Sequence, residues 1–248
     1  MSQIRLSRRH LIALVALSAT AGLVRAAPLS VAARSAMLSF DGLYIPVLFL
    51  TGSAGKSAEG AAKATAAMRR VMEQWPARRQ ALEAAVPGQP VWVKALDGVQ
   101  DKLREADALV AKAQWAPSHE VLEHVREILF DARRVLGLEY PLDAFTAYHA
   151  AMEKLANATT VQRPGVETDL ANALALWKVI DGMSFDPAVY GQSAAQASQL
   201  AQARSDETAA LARLSQALRD ANDADLLKAM AAIKAPFVRA YLSFGTPM

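Results

Sequence analysis

The chain contains no cysteine among its 248 residues. It therefore has no disulfide, no thiolate site, no covalently attached haem and no lipid-modified N-terminal cysteine. Aromatic residues make up only 6% of the sequence, and alternation of β-branched with polar residues is scarce. A hydrophobic content of 53% is nevertheless sufficient for a core that holds the fold together without covalent cross-links.

A surplus of positive charge is also absent once the first 27 residues are set aside. The whole chain has a formal charge of +3, but Arg5, Arg8, Arg9 and Arg25 belong to this segment, which has no Asp or Glu. Residues 28–248 carry 23 basic against 24 acidic side chains, a net charge of about −1. A nucleic-acid-binding protein needs excess cations to displace counterions, so we exclude this class.

Residues 1–27 have the pattern of a cleaved signal peptide. Ser7-Arg8-Arg9 precedes the apolar run 11–24, and Ala26-Ala27 provides a small-residue cleavage site. The apolar run is shorter than the roughly 20 residues that a helix needs to cross a bilayer. This segment resembles the leaders of bacterial twin-arginine-exported proteins, in which Ser-Arg-Arg stands just before a moderately hydrophobic stretch. The resemblance covers the leader only and implies a periplasmic protein, with the twin-arginine translocase and signal peptidase as its partners during export.

Residues 28–248 predict an all-α fold, because Ala and Leu are abundant and apolar residues recur at helical spacing. The clearest stripes are Leu96, Val99, Leu103, Ala106, Val110, Ala113; Leu211, Leu214, Leu218; and Leu226, Met230, Ile233, Phe237, Tyr241. A small-residue loop at 52–60 and turn signals at 87–90, 162–165 and 186–187 separate the helices. We predict a bundle of about seven or eight helices in antiparallel hairpins, with a subdivision near 160–166 as an alternative to a single domain. The run 44–50, which contains Pro46, is interpreted as a kinked buried helix and not as a membrane span.

Residues 118–156 predict a helical hairpin. Ser118 is the expected N-cap of its first helix, and Gly137 is placed for a glycine C-cap. Pro141 suits the first turn of the second helix. All three histidines of residues 28–248, which are His119, His124 and His149, lie in this hairpin.

The histidines of the hairpin are accompanied by carboxylates. A spacing of four places His119 with Glu123, and His149 with Glu153, on common helix faces. Imidazole and carboxylate ligands suit Zn, Cu, Fe or Mn, and facing helices of bundles are where such sites are built. The sequence therefore predicts a transition-metal or small-cofactor site of His119, Glu123, His149 and Glu153, with His119 as the outer ligand.

Two geometric tests bear on this site. Folding the hairpin about residue 139 brings Glu123 level with Glu153, but it separates the two histidines by about 15 Å along the axis, too far for one metal ion. The main apolar stripe of the first helix leaves Glu123 on the opposite side, so a second buried face that includes Phe130 is needed to bring it inside. Further carboxylates would have to come from elsewhere; the candidates are Asp41, Asp143 and Asp186.

The alternative is a metal-free binding or scaffold module that holds a peptide or partner protein. In that interpretation His124 is a surface residue, Glu153 pairs with Arg126, and His149 is a hydrogen-bonded core histidine. Non-covalent haem is not expected, because methionine at helical spacing is typical of core packing. Nucleotide binding is not expected either, because the glycines of 52–57 lack the spacing of a phosphate loop. The sequence has no nucleophile motif that would indicate an enzyme, and it leaves the functional partner open.

Overall fold

The computed structural model describes residues 27–246, and most of this part of the chain is helical. Its helical segments are α1 (Val31–Ala54), α2 (Ala58–Ala85), α3 (Pro90–Val110), α4 (Trp115–Val135), α5 (Leu142–Ala156), α6 (Arg163–Asp181), α7 (Pro187–Tyr190), α8 (Ala194–Asp220), α9 (Asp223–Ala232) and α10 (Lys234–Leu242). Two short strands, β1 (Ala27–Pro28) and β2 (Leu138–Glu139), pair in parallel. The predicted all-α fold is confirmed. The leader predicted for residues 1–27 lies, apart from Ala27, outside the described residues.

The described part of the chain has more helical segments than the seven or eight predicted. One reason is α7, which has only four residues. The other is that the stripe from Leu226 to Tyr241 does not form one helix but divides into α9 and α10. Pro236 explains the break, because it has no N–H to donate to the carbonyl group of Ala232. The break places Lys234 at the beginning of a new helix.

Helix α1 lies at the centre of the bundle, where it contacts α2, α4 and α10. Residues 40–48 of this helix are all buried. By length and composition α1 could cross a membrane, but 61% of its most apolar window is buried inside the protein, as in the core helix of a soluble protein. The loop expected from Gly52 to Gly60 is shorter in the structure, because α1 continues to Ala54 and Ser57 already caps α2.

One hydrophobic core connects the helices, including those on both sides of residues 160–166. Tyr148 of α5 contacts Trp177 of α6, with ring centroids 4.9 Å apart. Phe145 stacks on Tyr241 of α10 at 5.7 Å. Burial of each such side chain contributes roughly 1.5–3 kcal/mol to stability, so these rings fix α5 firmly against α6 and α10.

The predicted hairpin begins earlier than expected. Helix α4 starts at Trp115, so Ser118 is not its N-cap but lies in its first turn, where its hydroxyl group donates to the carbonyl oxygen of Ala106 at 3.2 Å. Gly137 follows the end of α4 with a φ of 63°, in the left-handed region that favours glycine, as predicted. Pro141 directly precedes α5.

Candidate metal centre

Three side chains from α4 and α5 form a compact group of metal-ligand atoms. Glu123, His149 and Glu153 each offer one ligand atom, and these atoms all lie within 4.8 Å of one another. The Nε2 atom of His149 is 3.5 Å from Oε1 of Glu123 and 3.4 Å from Oε1 of Glu153. The two carboxylates therefore converge on the same ring nitrogen. This arrangement agrees with the hairpin register, which predicts that Glu123 lies level with Glu153.

His119 joins the group at its edge. Its Nε2 atom is 3.4 Å from Oε1 of Glu123, so both histidines contact the same carboxylate oxygen. The expected separation of about 15 Å between the two histidines is therefore wrong for their ring nitrogens, which contact one and the same oxygen. His119 remains outside the set of atoms that lie within 4.8 Å of one another, which fits the position of an outer ligand.

The backbone of α1 holds the His119 ring in place. Nδ1 of His119 lies 2.7 Å from the carbonyl oxygen of Leu48, and because a carbonyl oxygen only accepts, Nδ1 carries the donated proton. A neutral ring then has a lone pair on Nε2, directed at Glu123. Gly52 provides the space for this ring, since a Cβ atom at that position would lie 3.1 Å from Cε1 of His119.

The second buried face that the sequence requires on α4 is present. Leu122, Val125 and Leu129 form the main apolar face, while Arg126 and Arg133 are also buried on the adjoining side. Helix α5 contacts that side and draws Glu123 into a largely buried position. The expected member Phe130 is half-buried. The apolar periodicity of α4 misses this face because Arg126 and Arg133, its fully buried members, are charged and pair with residues of α5.

His149 of α5 is buried where this helix packs against α4 and α10. Its ring centroid lies 5.5 Å from that of Phe237. Burial lowers the pKa of His149 below its usual value, so the ring is neutral near pH 7 and retains a lone pair for a metal ion. Of the predicted ligands, this one has the most enclosed setting.

Two cations neutralise the carboxylates of the group. Nη2 of Arg126 lies 3.2 Å from Oε1 of Glu123, and Nζ of Lys234 lies 3.0 Å from Oε1 of Glu153. The hydrogen bond with His149, together with Lys234, lowers the pKa of Glu153 to about 2. The pairing of Glu153 with Arg126 that the metal-free interpretation expects is replaced by the pairing with Lys234.

Arg126 is the least satisfied member of the group. Its side chain is only 4% exposed. Nη2 donates to Nδ1 of His149 and also lies 3.0 Å from Nε2 of that ring. Nη1 is buried and has no hydrogen-bond partner among residues 27–246. A buried guanidinium N–H without an acceptor is costly, and it marks a position where an acceptor atom is missing.

His124 lies apart from the candidate metal centre. Its ring is exposed, and Nδ1 lies 2.9 Å from Oε2 of Glu127, which is equally exposed. The prediction that His124 is a surface residue is confirmed. This residue therefore offers a matched control, because it is a histidine on the same helix, beside a glutamate, that lies outside the group.

The further carboxylates considered as ligands are engaged elsewhere. Tyr140 donates to the carboxylate of Asp41, and Arg133 forms a two-point ion pair with Asp143. Burial raises the pKa of Asp41 to about 6. Asp186 caps α7. These side chains form structural contacts and do not complete the candidate metal centre.

Sequence reasoning missed Lys234, the carbonyl group of Leu48 and the space at Gly52. Lys234 is 81 residues from Glu153, and no local spacing connects the two. The one available signal was its position beside Ile233 in an apolar stripe, which places it at the edge of a buried face. Comparison of the chain with protein-family models, with curated proteins and with solved structures found no match.

Proposed function

We propose that this chain is an exported periplasmic protein that binds a divalent transition-metal ion through Glu123, His149 and Glu153, with His119 as an outer ligand. The observation that carries the proposal is the convergence of three ligand atoms of suitable chemistry within 4.8 Å of one another. Mixed imidazole and carboxylate ligands suit Zn²⁺, Fe²⁺, Mn²⁺ or Cu²⁺. Three protein ligands also leave a coordination position open.

The contact between His119 and Glu123 supports the same proposal. His119 donates from Nδ1 to the carbonyl oxygen of Leu48, which leaves Nε2 as the ring nitrogen that faces Glu123 at 3.4 Å. In the metal-free protein Arg126 is the cation beside this contact, 3.2 Å from the same Glu123 oxygen. The bond to Leu48 keeps Nε2 directed at Glu123, where His119 is placed to act as an outer ligand of a metal ion on that carboxylate.

When the metal ion binds, it replaces the ammonium group of Lys234 as the cation beside Glu153. Lys234 is 44% exposed, so its ammonium group can leave Glu153 for solvent when the ion arrives. The proton on Nε2 of His149 passes to Nδ1 at the same time, because Nε2 becomes a ligand and the ring stays neutral. The carboxylates thus remain neutralised in both states, and the fold does not depend on the metal.

A comparison of two histidine variants tests the proposal. Purified protein is stripped with chelator, and Zn²⁺ binding is measured by titration against a competing indicator dye. Wild type and His124→Ala are expected to bind one equivalent with equal affinity. His149→Ala is expected to bind at least 100-fold more weakly, because it loses the central ligand. Equal binding by His149→Ala and wild type, or no binding by wild type, contradicts the proposed site and leaves a metal-free ion-pair network.

Export is tested separately through the leader. Replacement of Arg8 and Arg9 by lysine is expected to abolish the periplasmic form in a bacterium with the twin-arginine translocase. Cleavage after Ala27 is then checked by the mass of the exported protein. Undiminished export of the double variant contradicts the twin-arginine route and leaves general secretion.

A further inference from the structure

The buried guanidinium of Arg126 constrains how a metal ion can enter the site. An arginine only donates hydrogen bonds, so the ring nitrogen that Arg126 contacts most closely, Nδ1 of His149, is an acceptor. The proton of the neutral ring then resides on Nε2, which faces the two carboxylates. In the absence of metal, Nε2 of His149 thus faces both carboxylates, while Nη1 of Arg126 has no hydrogen-bond partner among residues 27–246.

Coordination by Nε2 of His149 reverses this arrangement. A neutral imidazole with a metal on Nε2 carries its proton on Nδ1, where it can no longer accept from Arg126. The Glu123 oxygen that Arg126 contacts also becomes a metal ligand. Nη2 of Arg126 then loses its closest acceptor, while Nη1 has none among residues 27–246. Because its side chain is almost fully buried, it cannot turn to solvent as Lys234 can.

The net charge of the metal-loaded site also calls for an additional acceptor of negative charge. Glu123 and Glu153 supply two negative charges, which balance Arg126 and Lys234 in the metal-free protein. A divalent ion replaces the single charge of Lys234, so the loaded site carries one positive charge in excess. A buried, uncompensated charge is unfavourable. One monovalent anion beside the metal and Arg126 restores neutrality.

We propose that the site takes its metal ion together with a small carboxylate-type oxyanion, such as acetate or bicarbonate, which occupies the open coordination position and accepts from Arg126. The inference rests on the metal site proposed above. A planar O–C–O group matches the fork of a guanidinium, so one oxygen binds the metal while the anion accepts from Nη1 and Nη2. The anion thereby supplies the acceptor that the buried Nη1 atom lacks.

The test measures Zn²⁺ affinity with and without the anion. A metal buffer sets the free Zn²⁺ concentration at each point of the titration. The titrations are carried out in perchlorate, in acetate and in bicarbonate at equal ionic strength. Wild type is expected to bind Zn²⁺ at least tenfold more tightly with acetate or bicarbonate. Arg126→Gln is expected to bind Zn²⁺ equally in all three salts. The exposed control Arg134→Gln, on the same helix, is expected to retain the wild-type dependence.

Arg126→Lys provides a second variant in case the glutamine variant fails to fold, as judged by its helical circular dichroism. Lysine keeps the charge but not the fork, so it is expected to lose most of the anion dependence. Equal Zn²⁺ affinity of wild type in all salts overturns the anion inference and leaves the metal site intact. An unchanged anion dependence in either Arg126 variant also overturns it, since the anion then binds elsewhere. Absence of Zn²⁺ binding by wild type in every salt is the separate failure of the proposed function.

Discussion

Replacement of Glu207 by glutamine is expected to remove a large pH dependence from the stability of the protein. Glu207 lies on α8 and is fully buried. One carboxyl oxygen accepts from the hydroxyl group of Tyr148, while Oε2 has no hydrogen-bond partner among residues 27–246. Burial raises the pKa of Glu207 from 4.5 to about 8, so the folded protein holds a proton that the unfolded chain releases.

The sign and size of the effect follow from proton linkage. Between pH 4.5 and 8 the folded state binds more protons at this site than the unfolded state, so stability falls as the pH rises. Each pKa unit corresponds to about 1.4 kcal/mol, which gives a total loss of roughly 5 kcal/mol across this range. Glutamine keeps the size and the acceptor for Tyr148 but carries no titrating proton. Near pH 5 the variant is therefore expected to be as stable as wild type or slightly less stable. At pH 8 it is expected to be clearly more stable.

The assay is chemical denaturation of both proteins at pH 5, 6, 7 and 8, with helical circular dichroism as the signal. The difference in unfolding free energy between Glu207→Gln and wild type is expected to rise by about 1.4 kcal/mol per pH unit above pH 5. Groups such as Asp41 titrate in both proteins and cancel in the difference. The exposed control Glu73→Gln is expected to show no such slope. Parallel pH dependences of Glu207→Gln and wild type would show that Glu207 does not hold a proton in the folded protein.

Three further substitutions test the site and its support. Lys234→Ala removes an ammonium group that lies 3.0 Å from a carboxylate oxygen of the site. A half-exposed ion pair contributes about 1 kcal/mol, so the variant is expected to bind Zn²⁺ about fivefold more tightly in titrations. Weaker Zn²⁺ binding contradicts the replacement of Lys234 by the metal ion. Gly52→Val places a side chain against the His119 ring and is expected to weaken Zn²⁺ binding several-fold; unchanged binding argues against an outer ligand. Arg133→Ala breaks a buried ion pair and is expected to cost about 3–5 kcal/mol in denaturation, whereas exposed Arg134→Ala is expected to cost under about 1 kcal/mol; equal costs contradict this assignment.

Local sequence patterns account for the helical fold and for much of the hairpin. Gly137 has the left-handed backbone that its position after an apolar stripe predicts, because only glycine adopts it without strain. The spacing of four in His119–Glu123 and His149–Glu153 depends on helix geometry alone. A short connection between α4 and α5 is then enough to bring Glu123 to Glu153.

The contacts that the sequence did not predict depend on distant parts of the chain. Ser118 has the side chain of an N-cap, but it bonds to α3 because the helix begins one turn earlier. Lys234 reaches Glu153 from the first residue of α10, and this contact depends on how α10 packs against α5. The position of His119 depends on a carbonyl group of α1, and any residue at position 48 could supply one. Such contacts leave no local periodicity to detect.

X-ray absorption at the zinc K-edge shows whether His149 binds the metal ion, with wild type and His149→Ala each loaded with one equivalent of Zn²⁺. Wild type is expected to give a shell of nitrogen and oxygen at about 2.0–2.2 Å with outer-shell imidazole scattering, and His149→Ala is expected to lose most of that scattering. The same spectrum for both proteins, or an oxygen-only shell in wild type, would contradict a metal centre built on His149.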